Sequence, residues 1–294
     1  MYHSVGSDVK PAVVGSNPIH LDRFKRQMLL FDAAGYRFAS IRELDARIDN
    51  SDRVFITSDD GTSDWATNVL PWCEVNSIPT HTGIISGPLR DKPTYPLAHL
   101  VQLLLASKTN EELTRLCESL QAKLTSTELD FVNQTYNYET DQNRRVIKGA
   151  LNLIFSQNVA MEQLSPFMSE ADFTNMTKRF QNLEFYRNFS YATLGNHTEN
   201  HTALGQDFST YLQHEVEPCK EFLKDHPNNI GDIFTLPLKP RANAEKSAFY
   251  ELLQKNGFRH CLTSFAGIWD GQSFEIPRID AQDVEGILEA SGLA

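Results

Sequence analysis

The residues best equipped for chemistry fall into two short clusters. Asp59-Asp60-Gly61 follows directly on the apolar run Val54-Phe55-Ile56-Thr57. Two adjacent carboxylates at a strand end repel each other, and a divalent cation is one way to offset that repulsion. An acidic turn closed by glycine is the ordinary alternative. The second cluster is His197-Thr198-Glu199-Asn200-His201. On a helix this four-residue spacing puts two imidazoles on one face, one turn apart, where both can reach one ion. Histidine pairs at this spacing also arise by chance, so neither cluster decides the matter alone. Their conjunction, each at the end of a predicted strand, argues for a metal site.

The elements that must position these clusters can be read from periodicity. Residues 21–34 carry Phe24, Met28 and Leu29 at helical spacing and close on Gly35, suited to a helix C-terminus. Residues 53–57 predict a strand, 65–75 a helix and 79–85 a second strand. From residue 190 the alternation resumes. Strands are predicted at 191–195, 233–236, 258–263 and 274–279, with helices at 208–224 and 244–256. Such alternation predicts an α/β fold with a mostly parallel sheet, open or closed into a barrel, and reactive residues at the carboxyl ends of strands.

Between these zones, residues 93–168 read as a helical insertion within a single catalytic domain spanning 1–294. Leu97, Leu100, Val101, Leu104 and Leu105 mark one amphipathic helix, and Leu113, Leu116, Leu120 and Leu124 another. Their leucine stripes are expected to form core or a homo-oligomer contact, and the charged residues of the segment to be solvated helix faces.

Composition excludes several function classes. The chain has 294 residues and a net charge of −11. Its basic pairs, such as Arg144-Arg145 and Lys178-Arg179, have acidic neighbours, so no nucleic-acid partner is expected. The opening Met1-Tyr2-His3-Ser4-Val5 lacks the basic and apolar regions of a secretory signal, and no apolar run approaches the ~20 residues of a membrane span. Cys73, Cys117, Cys219 and Cys261 are widely spaced and form no CxxC. Reduced thiols in a cytoplasmic protein are expected.

The clusters and their flanks resemble the polysaccharide deacetylases, the NodB-homology superfamily or carbohydrate esterase family four. Thr57-Ser-Asp-Asp-Gly61 is similar to the family's first motif, usually Thr-Phe-Asp-Asp-Gly, with Ser58 in place of phenylalanine. Leu194 to His201 resembles its second motif, and Phe234-Thr-Leu-Pro237 the third. Tyr2-His3 is similar to the N-terminal strand of the branch that deacetylates biofilm poly-N-acetylglucosamine. The resemblance covers roughly 1–92 and 170–294 and implies a distorted (β/α)7-type barrel.

It also implies roles. Asp60, His197 and His201 would hold a divalent metal, most often zinc, and Asp59 would be the general base. The N–H of Leu238, following Pro237, would bind the oxyanion, and His3 would be the general acid. The arginine usual in the third motif is missing, leaving Arg278 or Arg241 to orient Asp59. His81, Trp269, Trp72, Pro237 and Arg278 are candidate contacts to substrate, although large aromatics more often pack cores. The expected activity is metal-dependent removal of an N-acetyl group from an amino sugar, either a small nucleotide-linked hexosamine or a carrier-linked glycan precursor. Hydrolysis of a non-sugar amide and silent glycan binding are the rival readings.

Overall fold

Six short parallel strands build the scaffold in the computed structural model, which describes residues 1–6, 18–44, 52–205, 207–240 and 245–290. They are β1 (Ile56–Ser58), β2 (Thr80–Ile84), β3 (Ala192–Asn196), β4 (Asn229–Thr235), β5 (His260–Leu262) and β6 (Glu275–Ile276). Their order across the sheet is β6-β5-β4-β3-β2-β1, each pair parallel, so the chain adds one strand at a time. Every residue of β2 and β3 is buried, as parallel strands covered on both faces must be.

The two edges of this sheet are joined through residues 1–2. The Tyr2 N–H donates to Thr57 O at 2.8 Å and the Asp59 N–H to Tyr2 O at 2.9 Å, forming a parallel bridge beside β1. On the other side the Ala281 N–H donates to Met1 O at 3.0 Å, and the Met1 nitrogen donates to Ile279 O at 2.7 Å. Met1 and Tyr2 thereby fill the gap between β1 and the segment after β6, giving the expected distorted (β/α) barrel. Tyr2 anchors the wedge. Its ring stacks on Trp65 at 5.7 Å and meets the Phe24 edge at 5.1 Å, while its hydroxyl donates to Gln27 Oε1 at 2.8 Å. Phe24 and Gln27 come from the amphipathic helix Leu21–Ala33.

Between β2 and β3 lies a run of helices that includes Leu97–Ser107, Asn110–Gln121, Ser126–Thr135, Gln142–Gly149, Gln157–Leu164 and Glu170–Thr177. Thr109 with Glu112, and Thr125 with Glu128, form reciprocal capping boxes that start two of them. Leu100, Leu104, Leu116, Leu120, Ile147 and Leu151 pack together in a core seated on Ile85, just beyond β2. The leucine stripes therefore face one another. Not all charges here are solvated: Lys148 is buried and pairs with Glu139 at 2.5 Å.

Several predicted elements differ in detail: the helix expected over 65–75 is two, Ser63–Asn68 and Leu70–Val75, and of 274–279 only Glu275–Ile276 is strand. The strand expected over 53–57 breaks at Phe55: Arg53–Val54 pairs with Arg37–Phe38 in a separate ladder, and only Ile56–Ser58 joins the sheet. The helix expected over 208–224 contains a π-helical turn, Leu212–Val216, before Glu217–Leu223. Pro218 has no N–H to continue an α-helical ladder, and the wider turn relieves that loss. The histidine cluster is not helical, as described below. Among the described residues no helix is long and apolar enough to cross a membrane.

Candidate metal centre and its cavity

The acidic pair leaves β1 through a tight left-handed turn, with φ of 76° at Asp60 and 72° at Gly61. Aspartate tolerates this region because its short polar side chain can bond locally, and glycine occupies it without strain. A Cβ at 61 would also press on Ile84 Cδ1 at 2.8 Å, a side-chain end that could shift, so the positive φ is the stronger demand for glycine. The turn holds both carboxylates at the carboxyl end of the sheet.

The two histidines come from the loop after β3, which corrects the helical stacking expected from their spacing. Thr198 and His201 have φ of 72° and 59°, incompatible with a continuing helix. Side chains replace the missing helical ladder. The Thr198 N–H donates to Asn196 Oδ1 at 3.0 Å and the His201 N–H to Thr198 Oγ1 at 2.9 Å. Buried Glu215 accepts from the Asn200 N–H at 2.8 Å and from Asn200 Nδ2 at 3.0 Å. The imidazoles still converge, with ring centroids 4.9 Å apart.

Asp60 Oδ1 lies 3.3 Å from both His197 Nε2 and His201 Nε2. One ligand atom from each of the three residues falls within 4.8 Å of the others. Asp60 Oδ1 and His197 Nε2 are buried without a hydrogen-bond partner among the described residues, a costly state that a shared cation would relieve. His197 Nδ1 sits 2.9 Å from Thr235 O, so its proton belongs there and Nε2 is left as the donor. A carboxylate and two imidazoles form a three-donor set with open positions, which suits a catalytic divalent cation. Burial opposes ionisation of Asp60, yet the surrounding histidines outweigh it and hold its carboxyl well below the usual range. Burial pushes His201 down to about 3, keeping it neutral. Burial also acts to lower His197, but the neighbouring carboxylates raise it overall.

Asp59 occupies a separate position. Arg278 Nη1 and Nη2 each donate to one of its carboxylate oxygens at 2.7 Å, and Arg278 Nε donates to Thr263 O at 2.8 Å. Burial disfavours the charged form of Asp59, but the guanidinium wins and holds it ionised well below the usual carboxylate range. His3 Nε2 stands 3.9 Å from Asp59 Oδ2. Leu238 adopts a left-handed φ of 56° just past β4. Arg241 lies outside the described residues.

These groups line a cavity of about 420 Å³, with His3, Asp59, Asp60, His197, His201 and Leu238 in its lining. His81, Trp269 and Pro237 are not among its lining residues. His81 is buried under Gly195, where an added Cβ would come within 2.6 Å of its ring, and its Nδ1 meets Thr193 Oγ1 at 3.1 Å. Trp269 packs against His260 at 5.3 Å and donates to Ser273 O, and Trp72 packs against Phe24. The helical segment adds His99, Tyr136, Tyr138, Lys148 and Asn152 to the lining. The sequence reading missed all five. Only His99, a polar residue beside an apolar stripe, left a trace in the pattern.

Fold and site together define a (β/α)-barrel protein with a buried Asp–His–His centre beside an arginine-clamped aspartate. No family model and no curated protein matches the sequence. Among solved structures, the Streptococcus pyogenes deacetylase PplD, in complex with acetate, superposes with a TM-score of 0.56 at 13% identity, covering 98% of this chain and 95% of that one. IcaB from Ammonifex degensii superposes at 0.53 with 13% identity, covering 100% and 95%. The chain thus has the (β/α)-barrel fold of a deacetylase.

Proposed function

We propose that the chain is a metal-dependent hydrolase that removes an N-acetyl group from an amino sugar. One observation carries this reading: a buried three-donor centre at Asp60, His197 and His201 lies beside a second carboxylate held apart for a different task. The fold shared with the S. pyogenes deacetylase supports it. A divalent cation in this centre, zinc by the preference of the donor set, would supply Lewis acidity at the acetamide carbonyl and a water of near-neutral pKa.

The chain's own residues supply the rest. Asp59 is proposed to accept the water proton. Its clamp occupies one lone pair on each oxygen and leaves the others available. The Leu238 N–H is proposed to receive the carbonyl oxygen as it gains charge. His3, whose ring stands 3.9 Å from the Asp59 carboxylate, is proposed to protonate the departing amine. A volume of about 420 Å³ suits a small molecule or the end of a carrier-linked glycan. Tyr138, 65% exposed on the cavity wall, offers a face for a sugar ring, with Asn152 and Lys148 placed to bond its hydroxyls. Because these groups lie in segment 93–168, we propose that the segment belongs to the catalytic unit.

The test is acetate release from a panel of N-acetylhexosamines, free, nucleotide-linked and oligomeric, set against simple N-acetyl amides. The reading expects turnover on sugars that a chelator abolishes and Asp59→Asn reduces by at least ~10²-fold. Full activity in Asp59→Asn would remove the mechanism, and turnover of simple amides alone would remove the substrate class.

A further inference from the structure

We infer that His99, contributed by the helical segment, is a positioning residue of the metal centre that grips the second oxygen of Asp60. The inference rests on the proposed metal-dependent reading. The two oxygens of Asp60 face different partners. Oδ1 points to His197 and His201, whereas Oδ2 lies 3.2 Å from His99 Nε2. The set of converging ligand atoms comprises Asp60, His197 and His201 and does not include His99. His99 therefore acts on the carboxylate rather than on the ion.

The surroundings leave it little choice. His99 is the third residue of Leu97–Ser107 and is 4% exposed. Its ring meets the edge of Phe180 at 5.0 Å and lies 5.9 Å from the His201 ring. Its Nδ1 is buried without a hydrogen-bond partner among the described residues. Nε2 is the ring nitrogen that faces a partner, and it is placed to donate to Asp60 Oδ2. Held there, the carboxylate cannot rotate to offer both oxygens to an ion or swing away from the histidines. Partners of this kind around metal ligands typically contribute 10–100-fold in affinity.

The experiment measures Zn²⁺ affinity of the full chain by competition with a chromophoric chelator, and the visible spectrum of the Co²⁺-loaded protein. His99→Phe keeps the ring and removes the donor, and His99→Gln restores an N–H at similar reach. We expect His99→Phe to bind Zn²⁺ about 10–100-fold more weakly with an altered Co²⁺ spectrum, and His99→Gln to recover most of the loss. Affinity and spectrum unchanged in His99→Phe would overturn the inference. So would a His99→Gln protein as weak as His99→Phe, which would make the imidazole itself a ligand. Circular dichroism checks folding; should His99→Phe not fold, His99→Met against His99→Gln is judged on the same criteria. A wild-type chain that takes up neither ion removes the metal-dependent reading and this inference with it. Tight metal binding without deacetylation removes only the function.

Discussion

Arg278 and Asp59 form a two-pronged ion pair, with both guanidinium nitrogens 2.7 Å from separate carboxylate oxygens, and the residues are 6% and 3% exposed. The arginine comes from the segment after β6 and the aspartate from the end of β1, so the pair also ties opposite edges of the sheet. Replacing the arginine by glutamine leaves Asp59 buried without its counter-charge. Burial alone raises a carboxyl pKa, so Asp59, the proposed base, then loses its charge at a higher pH than in the parent. Arg278→Gln is expected to lower kcat/KM by about 10²-fold and to move the acid limb of the pH profile upward. A limb that stays in place would show that Asp59 does not set it.

Metal removal should be visible without any substrate. An ion that binds only the folded chain stabilises it by about 2.7 kcal/mol at a hundredfold excess over Kd. Chelated protein is expected to melt several degrees lower and to recover on adding Zn²⁺. Asp60→Asn and His201→Ala should show little response to the ion. Equal shifts in these variants would place the ion elsewhere.

Tyr138→Ala tests the proposed sugar-binding wall. The ring is 65% exposed, so its removal should not unfold the chain. Loss of a stacking face weakens ground state and transition state alike, which raises KM and spares kcat. We expect KM for an N-acetylhexosamine to rise about 10-fold, with kcat within about twofold. An unchanged KM would move the sugar off this wall.

Stability in acid tests the joint between the first and last helices. Arg23 Nε and Nη2 donate to Glu285 at 2.8 Å, and this bonding lowers the carboxyl from 4.5 to about 2. A depressed folded pKa gives stability that is fully present above the unfolded value near 4.5 and is lost as pH falls towards 2. Both side chains are partly exposed, so solvent screening limits the contribution to about 1–2 kcal/mol. Glu285→Gln should therefore unfold at lower urea than the parent at pH 7, with the difference fading across that acidic window. A difference that persists at the acid end would point to lost packing rather than lost charge.

What the sequence discloses about this site follows from how local each signal is. Asp59, Asp60, His197 and His201 announce themselves because ligand chemistry needs those types within a few positions, at strand ends that periodicity locates. The geometry of the second cluster is not readable from spacing. A loop with left-handed Thr198 and His201 reaches the same convergence as a helical turn, and Asn196 and Glu215 stabilise it through bonds no pattern reveals. The lining drawn from the helical segment is harder still. Tyr138, Lys148 and Asn152 reach the cavity only because helices between β2 and β3 fold back over the sheet, and Asn152 is carried by the π-helical turn Ala150–Ile154. Aromatic content alone points equally to Trp72 and Trp269, which pack elsewhere.

The wedge of Met1 and Tyr2 bears on how the molecule is made. The bond from Met1 to Ile279 O joins positions 278 apart, so the ring of strands can shut only once the segment after β6 is in place. Contacts this distant in sequence slow folding. They also leave the far edge of the wedge, beyond its bridge to β1, without its partner until Ile279 and Ala281 have been made. Closure of the barrel therefore waits on the segment that follows β6.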